Sequence, residues 1–259
     1  MTTIASLALL VAAGPLCASP KAPAQPSRDQ VEDKVSAIYA RMRNIRAQSP
    51  FTEPEPRKIL EGIVAQPSRC QGRADDKYCQ LYLEVLAKKP GLKPDDVFAA
   101  FTADEIMEHK LLRTVTGSTG DVRVFHKLAR EAGLPAWRIG ATEKKSYIAG
   151  CYEGGKKLER KKPDTPRNGH GAIAVRWGGK WRILDTSAFA GPRYAQAGPQ
   201  PLHELAVDEP MELLGREVSF GMPLDLYIVT AVSRQPDRAS TLKAVEEDMG
   251  PDCRFDAAP

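Results

Sequence analysis

The strongest constraint on the fold is a change of hydrophobic period at Gly133-Leu134-Pro135. Upstream, apolar residues return every three or four positions, as one face of a helix requires. Ser27 with Gln30 forms a capping-box pattern, and Val31, Val35, Ile38, Met42 and Ile45 follow at helical spacing, which predicts a helix over 28–47. Pro50, Pro54 and Pro56 interrupt the chain, and a short helix is expected at 57–65. Leu81, Val85 and Leu86 predict helix from Tyr78 to Lys88, and Pro94 ahead of Asp95 and Asp96 suits a first helical turn. Thr102 with Glu105 opens another helix, expected to reach Leu112. Val122, Phe125, Leu128 and Ala129 mark a further one over 119–132. Gly133-Leu134-Pro135 ends it, because Gly accepts a left-handed turn and Pro cannot continue a helix. Downstream the runs are short. Ala136–Ala141 and Tyr147–Tyr152 read as strands, and Ala172–Trp177 and Trp181–Leu184 as a hairpin turning at Gly178-Gly179. A last strand is centred on Leu226–Ala231. Helices first and an antiparallel sheet afterwards is the pattern of an α+β fold.

The N-terminus carries a second signal. Ile4–Ala13 is an apolar run, Gly14-Pro15 closes it, and Leu16-Cys17-Ala18 offers a small-residue cleavage site. This has the layout of a secretory signal over 1–18, although Met1-Thr2-Thr3 supplies no positive charge. The run is too short to cross a bilayer as a helix. A lipid anchor on Cys17 is disfavoured by Pro15-Leu16, where small residues are expected. Residues 19–26, rich in Pro and Ala, read as a linker. The expected organisation is signal 1–18, linker 19–26, helical region 27–113, and core with C-terminal tail 114–259. The expected location is secreted or periplasmic.

Cysteine usage agrees with export. Without Cys17 four remain, Cys70, Cys79, Cys151 and Cys253, and an even number in an exported chain reads as two disulfides. Three pairings are open. Cys70–Cys79 closes a short polar loop and is the simplest, and Cys151–Cys253 would then tie the C-terminal tail to the core. The spacings lack a CxxC pair, which argues against zinc.

Three short segments carry chemistry. The first is Thr116-Gly117-Ser118-Thr119-Gly120-Asp121 leading through Phe125 to Gly133-Leu134-Pro135. The second is His170 at the start of a strand, and the third is Trp181-Arg182-Ile183-Leu184-Asp185-Thr186. Together, over about 114–187, they resemble the transglutaminase-like superfamily, whose fold is related to papain. There a Gly-Cys pair opens a helix with Phe seven residues on, the helix ends in Gly-Ile-Pro, and a strand-leading His and a strand-ending Asp follow. Phe125 lies seven residues after Ser118 and Gly133 fifteen, so Ser118 occupies the cysteine slot. An alternative register puts Thr119 there but moves Phe125 and Gly133 out of step. The resemblance implies a papain-like core, a catalytic set of Ser118, His170 and Asp185, and a peptide or protein as substrate or ligand.

In that family a cysteine at a helix N-terminus is held as thiolate by the dipole and a neighbouring imidazolium, and acyl transfer from an amide follows. Serine changes the chemistry. Its hydroxyl is far too weak an acid to ionise, so attack requires His170 to remove the proton as it occurs. Three readings stay open: a working serine nucleophile, a degenerate site that binds without reacting, and a substitution introduced to trap the protein. Simpler roles stand beside them. Ser118 or Thr119 could merely cap a helix, Asp121 could complement its dipole, His170 could sit at a strand edge, and Asp185 could open a turn. A disulfide-stapled accessory protein is the remaining alternative.

Other classes find little support. Net charge of +4 is too small to argue for nucleic acid, and no aromatic-basic platform appears. There is no phosphate loop, HExxH pair or EF-hand pattern, and no cofactor is expected. His109, His126 and His203 lack a second ligand at metal spacing, so no metal is expected either. Lys156, Lys157, Arg160, Lys161 and Lys162 read as a solvated basic loop.

Overall fold

The computed structural model describes residues 27–159, 169–187, 205–220, 226–233, 253 and 255. The signal and linker expected over 1–26, most of the basic loop and His203 lie outside them. The first part is helical. Helix α1 (Arg28–Ala47) starts from a complete capping box between Ser27 and Gln30 and buries Val31, Val35, Ile38, Tyr39, Met42 and Ile45. Next come α2 (Pro56–Ala65), with Pro at its first position, and α3 (Lys77–Glu84), which Asp76 caps by accepting from the Tyr78 and Cys79 N–H groups. The α-helix ends at Glu84, and a 3-10 turn over Leu86–Lys88 completes the segment expected to be helical to Lys88. Helix α4 (Ala103–Glu108) begins at the Thr102–Glu105 capping box and stops short of the expected Leu112. Lys110 and Arg113 both take positive φ there, which no α-helix accommodates. Helix α5 (Gly117–Glu131) follows, and Gly133 at φ +62° ends it.

The second part is a six-stranded antiparallel sheet. Its strands are β1 (Ala136–Glu143), β4 (Gly169–Trp177), β5 (Lys180–Leu184), β6 (Ala206–Val207), β7 (Glu217–Ser219) and β8 (Leu226–Ser233), in the order β6-β5-β4-β1-β8-β7. A separate ribbon pairs β2 (Tyr152–Glu153) with β3 (Lys156–Lys157). The hairpin from β4 to β5 turns at Gly178 and Gly179, with φ +60° and +81°, the conformation a two-residue turn of the required twist needs. The mixed α+β class read from the sequence is the observed class.

One expected strand is a helix. Tyr147–Tyr152 was expected to extend, but Lys144–Cys151 forms α6. The reason lies in what it covers. Tyr147 and Cys151, four residues apart, fall on one helical face, and both are buried with Ile228, Cys253 and Phe255. The C-terminal partners of that face are about a hundred residues away, so local pattern did not reveal it.

Alternation along β4 divides the interior. Ile173, Val175 and Trp177 join a large core with the helices, while Ala172 and Ala174 face a smaller one with Ile139, Trp181, Ile183, Val207, Leu213, Phe220 and Val229. The large core runs without a break from Val31 in α1 through Phe125 in α5 to Leu184 in β5, so the N-terminal helices and the sheet share one interior. Arg123 of α5, itself buried, donates to the carbonyls of Ala99 and Phe101 and ties the connection before α4 to α5. Disulfides join Cys70 to Cys79 and Cys151 to Cys253.

Candidate functional site

The site is assembled where α5 meets the start of β4. The head of α5 has unusual local chemistry. Gly117 takes φ +55°, and no side chain caps the helix, unlike α1, α3 and α4. Thr116 precedes the helix, is buried, and directs its hydroxyl back to the Leu111 carbonyl at 3.3 Å. Ser118 and Thr119 lie inside the first turn and so do not act as caps. Gly120 is required here, since a Cβ would stand 1.9 Å from Thr116 Oγ1.

Helix α5 packs closely on the sheet at Gly171. A Cβ there would lie 2.8 Å from Val122 Cγ2 and 3.5 Å from the Ser118 carbonyl oxygen. The backbone of Ser118 is thus pressed against the residue next to His170. No hydrogen bond joins the Ser118 hydroxyl to His170 among the described residues.

His170 and Asp185 do meet. His170 Nε2 lies 3.0 Å from Asp185 Oδ1, a bond in which the imidazole N–H donates to the carboxylate. The β4–β5 register explains the pairing. Ile173 faces Leu184, so the hairpin brings the start of β4 beside the end of β5. Asp185 Oδ1 also accepts from the Ser187 N–H at 2.9 Å, and the Asp185 carbonyl accepts from the Tyr39 hydroxyl at 2.9 Å. With Nε2–H engaged, Nδ1 is the nitrogen left with a lone pair.

Aromatic rings wall the imidazole. Phe220 stands 4.2 Å from it and Tyr227 5.8 Å, centroid to centroid. A second acid feels the charge of Asp185. Asp121 is fully buried, and Arg113 Nε is 2.8 Å from its Oδ2, off the line of a hydrogen bond. Burial raises the Asp121 carboxyl to about 8. Arg113 opposes the rise, the charge of Asp185 adds to it, and the Ser187 hydroxyl and Arg46 act against it.

Of the three residues expected at the site, His170 and Asp185 are hydrogen-bonded, and Ser118 adjoins them through its backbone. Sequence reasoning missed Phe220, Tyr227, Tyr39 and Arg113, and gave Asp121 a dipole role alone. For Asp121 a signal existed. It shares the α5 stripe with Phe125 and Leu128, at i, i+4 and i+7, where an ionisable side chain is out of place. Among the described residues no group of three or more His, Cys, Asp or Glu could hold a metal. No helix among them is long and apolar enough to cross a membrane.

Fold and site define an α+β protein with an imidazole–carboxylate pair at the mouth of a hairpin, facing an uncapped helix head. Comparison with known protein families, with curated proteins and with solved structures finds no match to this chain.

Proposed function

We propose that this chain is an exported transglutaminase-like protein that acts on amide or peptide bonds, with Ser118 as nucleophile, His170 as general base and Asp185 as the group orienting the imidazole. The observation that carries the reading is the 3.0 Å His170–Asp185 pair, flanked by the Ser118 turn of α5. An imidazole whose Nε2 donates to a carboxylate is fixed in the tautomer that leaves Nδ1 basic, and the carboxylate stabilises the imidazolium formed on proton uptake. Ser118 Oγ would attack the carbonyl carbon as its proton passes to Nδ1. Collapse of the tetrahedral intermediate would break the C–N bond, with the same proton delivered to the leaving amine. Water or a second amine would then release the acyl group from the serine ester. Side-chain caps are absent from the head of α5, so first-turn N–H groups can turn toward a developing oxyanion.

Two features favour a second reading, a cleft that binds a peptide without cleaving it. One is serine where a cysteine would be activated more easily, and the other is the absence, among the described residues, of a Ser118–His170 hydrogen bond. The experiment compares the natural chain with Ser118→Ala, Ser118→Cys and His170→Ala on glutamine-containing and peptide substrates. Labelling by a fluorophosphonate, located by mass spectrometry, is read in parallel. Activity and label lost together in the Ala variants support the serine enzyme. Activity in the Cys variant alone identifies a binding site built on a degenerate enzyme. Full activity in Ser118→Ala removes Ser118 from the mechanism.

A further inference from the structure

In the helical part of the chain a cleft of about 360 Å³ opens between α2 and the segment 69–76. Pro54, Ile59 and Ile63 give it an apolar wall, and Ile59 is among the few large apolar side chains left exposed in the described residues. Lys58, Arg69 and Arg73 bring positive charge to it, and Glu55 and Asp76 bring negative charge, leaving one positive charge in excess. Both acids are already engaged. Glu55 pairs with Lys58. Asp76 pairs through Oδ2 with Arg73, while its Oδ1 accepts from the Tyr78 and Cys79 N–H groups. Arg69 has no carboxylate partner among the described residues.

The guanidinium of Arg69 is nevertheless held in place. Arg69 sits in a 3-10 turn (Pro67–Cys70), one residue before the Cys70–Cys79 disulfide. Its Nε donates to Gln66 Oε1 at 3.2 Å. Its Nη1 lies over the backbone of α2 at Gly62, where a Cβ would stand only 2.9 Å away. Gly62 thus leaves the planar group a seat that a side chain would fill. With Nε engaged, the Nη hydrogens are the donors that remain for a ligand. At the rim, Glu55 takes φ +55°, a left-handed conformation that a non-glycine residue adopts at a cost and that collects at ligand sites.

We propose that this cleft binds the C-terminal residue of a peptide, its free carboxylate on Arg69 and its apolar side chain against Pro54, Ile59 and Ile63. A guanidinium presents parallel N–H donors that match the two oxygens of a carboxylate, and charge-assisted bonds of this kind are the strong ones. An excess of one positive charge suits a monoanion better than a phosphate group, which approaches two negative charges at neutral pH. An Asp or Glu side chain carries its carboxylate on a short arm with little apolar surface. A C-terminal Leu or Val joins carboxylate and apolar surface in one residue, and a cleft of this size suits a ligand that small. Nothing in this recognition involves Ser118, His170 or Asp185.

The test is a calorimetric titration of the full disulfide-bonded chain with N-acetyl-Gly-Gly-Leu-Leu, as the free acid and as the C-terminal amide. The free acid is expected to bind, and the amide at least about ten-fold more weakly, the loss of one charge-assisted pair. Arg69→Gln should weaken the free acid by a similar factor and leave the amide unchanged. Gly62→Ala should weaken it as well, because the new methyl displaces the guanidinium, while the thermal midpoint holds or rises since alanine favours the helix. Ser118→Ala is expected to bind the free acid as the natural chain does, and its activity decides the enzymatic reading separately. Equal binding of acid and amide, no binding of the acid at millimolar concentration, or an affinity unchanged in both Arg69→Gln and Gly62→Ala overturns the proposal. An affinity that falls in Ser118→Ala moves the peptide to the other site and overturns it too. So does an amidated peptide with Glu near its end that binds as tightly as the free acid, or inorganic phosphate that binds more tightly.

Discussion

Tyr39 and Asp185 are joined across 146 residues of sequence by a buried hydrogen bond, the tyrosine hydroxyl donating to the aspartate's backbone carbonyl at 2.9 Å. The same tyrosine packs edge-on against Phe125 of α5, with ring centroids 5.7 Å apart. One side chain of the first helix therefore touches both the helix that carries Ser118 and the backbone of the carboxylate that holds His170. The N-terminal helices are part of the site's support and not an appended cap.

Removing that hydroxyl isolates its contribution. Tyr39→Phe keeps the ring contact with Phe125 and leaves the Asp185 carbonyl without this donor in a buried place. The expected cost is about 1–3 kcal/mol, read as a fall of several degrees in thermal midpoint for a chain of this size. If Asp185 is the orienting group, any catalytic rate should fall further than stability alone explains. A thermal midpoint unchanged within error would show that the bond contributes nothing.

Parts of this arrangement could be read in the chain. Ser27 with Gln30 and Thr102 with Glu105 form the boxes their spacing requires, because both partners lie within one turn. His170 and Asp185 could be brought together on paper, since a Gly178-Gly179 hairpin folds β4 onto β5 and leaves its two far ends side by side. What stayed hidden depends on distant partners. Tyr39 reads as one more apolar position of α1, and nothing nearby announces where its hydroxyl goes. Phe220 and Tyr227 reach His170 only because β8 pairs with both β1 and β7. Lys144–Cys151 is helical because its buried face is completed by Cys253 and Phe255, which no local pattern contains.

The two disulfides should differ in effect. Cys70–Cys79 closes a separation of 9 residues and Cys151–Cys253 one of 102. Loop entropy assigns roughly 2–3 kcal/mol to the first and about 4.7 kcal/mol to the second. Replacing each pair by serine and unfolding in urea should therefore lower the midpoint more for the Cys151–Cys253 variant. The slope should also rise more for that variant, because losing the longer loop releases more of the unfolded chain to solvent. Equal midpoints would mean that strain or residual structure offsets the entropy of the longer loop.

The buried carboxyl of Asp121 gives stability a definite pH dependence. Its pKa rises from 3.8 when exposed to about 8 in the fold, first through burial and then through the charge of Asp185, with Arg113 opposing. Between those values the folded chain keeps a proton that the unfolded chain releases. The contribution is thus fully present below pH about 4 and is lost as pH climbs through about 8. Asp121→Asn removes the titration. Its thermal midpoint should decline less than the natural protein's between pH 5 and 8.5, by an amount worth about 4 kcal/mol at most. Parallel curves for the two proteins would show that Asp121 stays ionised beside Arg113.

The contact between α5 and β4 can be tested at Gly171. Gly171→Ala places a methyl 2.8 Å from Val122 Cγ2 and 3.5 Å from the Ser118 carbonyl oxygen. Both neighbours are held, Val122 in the buried face of α5 and Ser118 in its backbone, so the helix head must move away from the strand that carries His170. Overpacking of this kind costs about 1–3 kcal/mol. Shortening the obstructing side chain should relieve it, because Val122→Ala removes the atom in the way. The double variant Gly171→Ala, Val122→Ala is therefore expected to be more stable than the sum of the two single losses, a coupling of about 1 kcal/mol or more in a double-mutant cycle. Strict additivity would mean that the two residues do not share the contact and that the head of α5 is not set by Gly171.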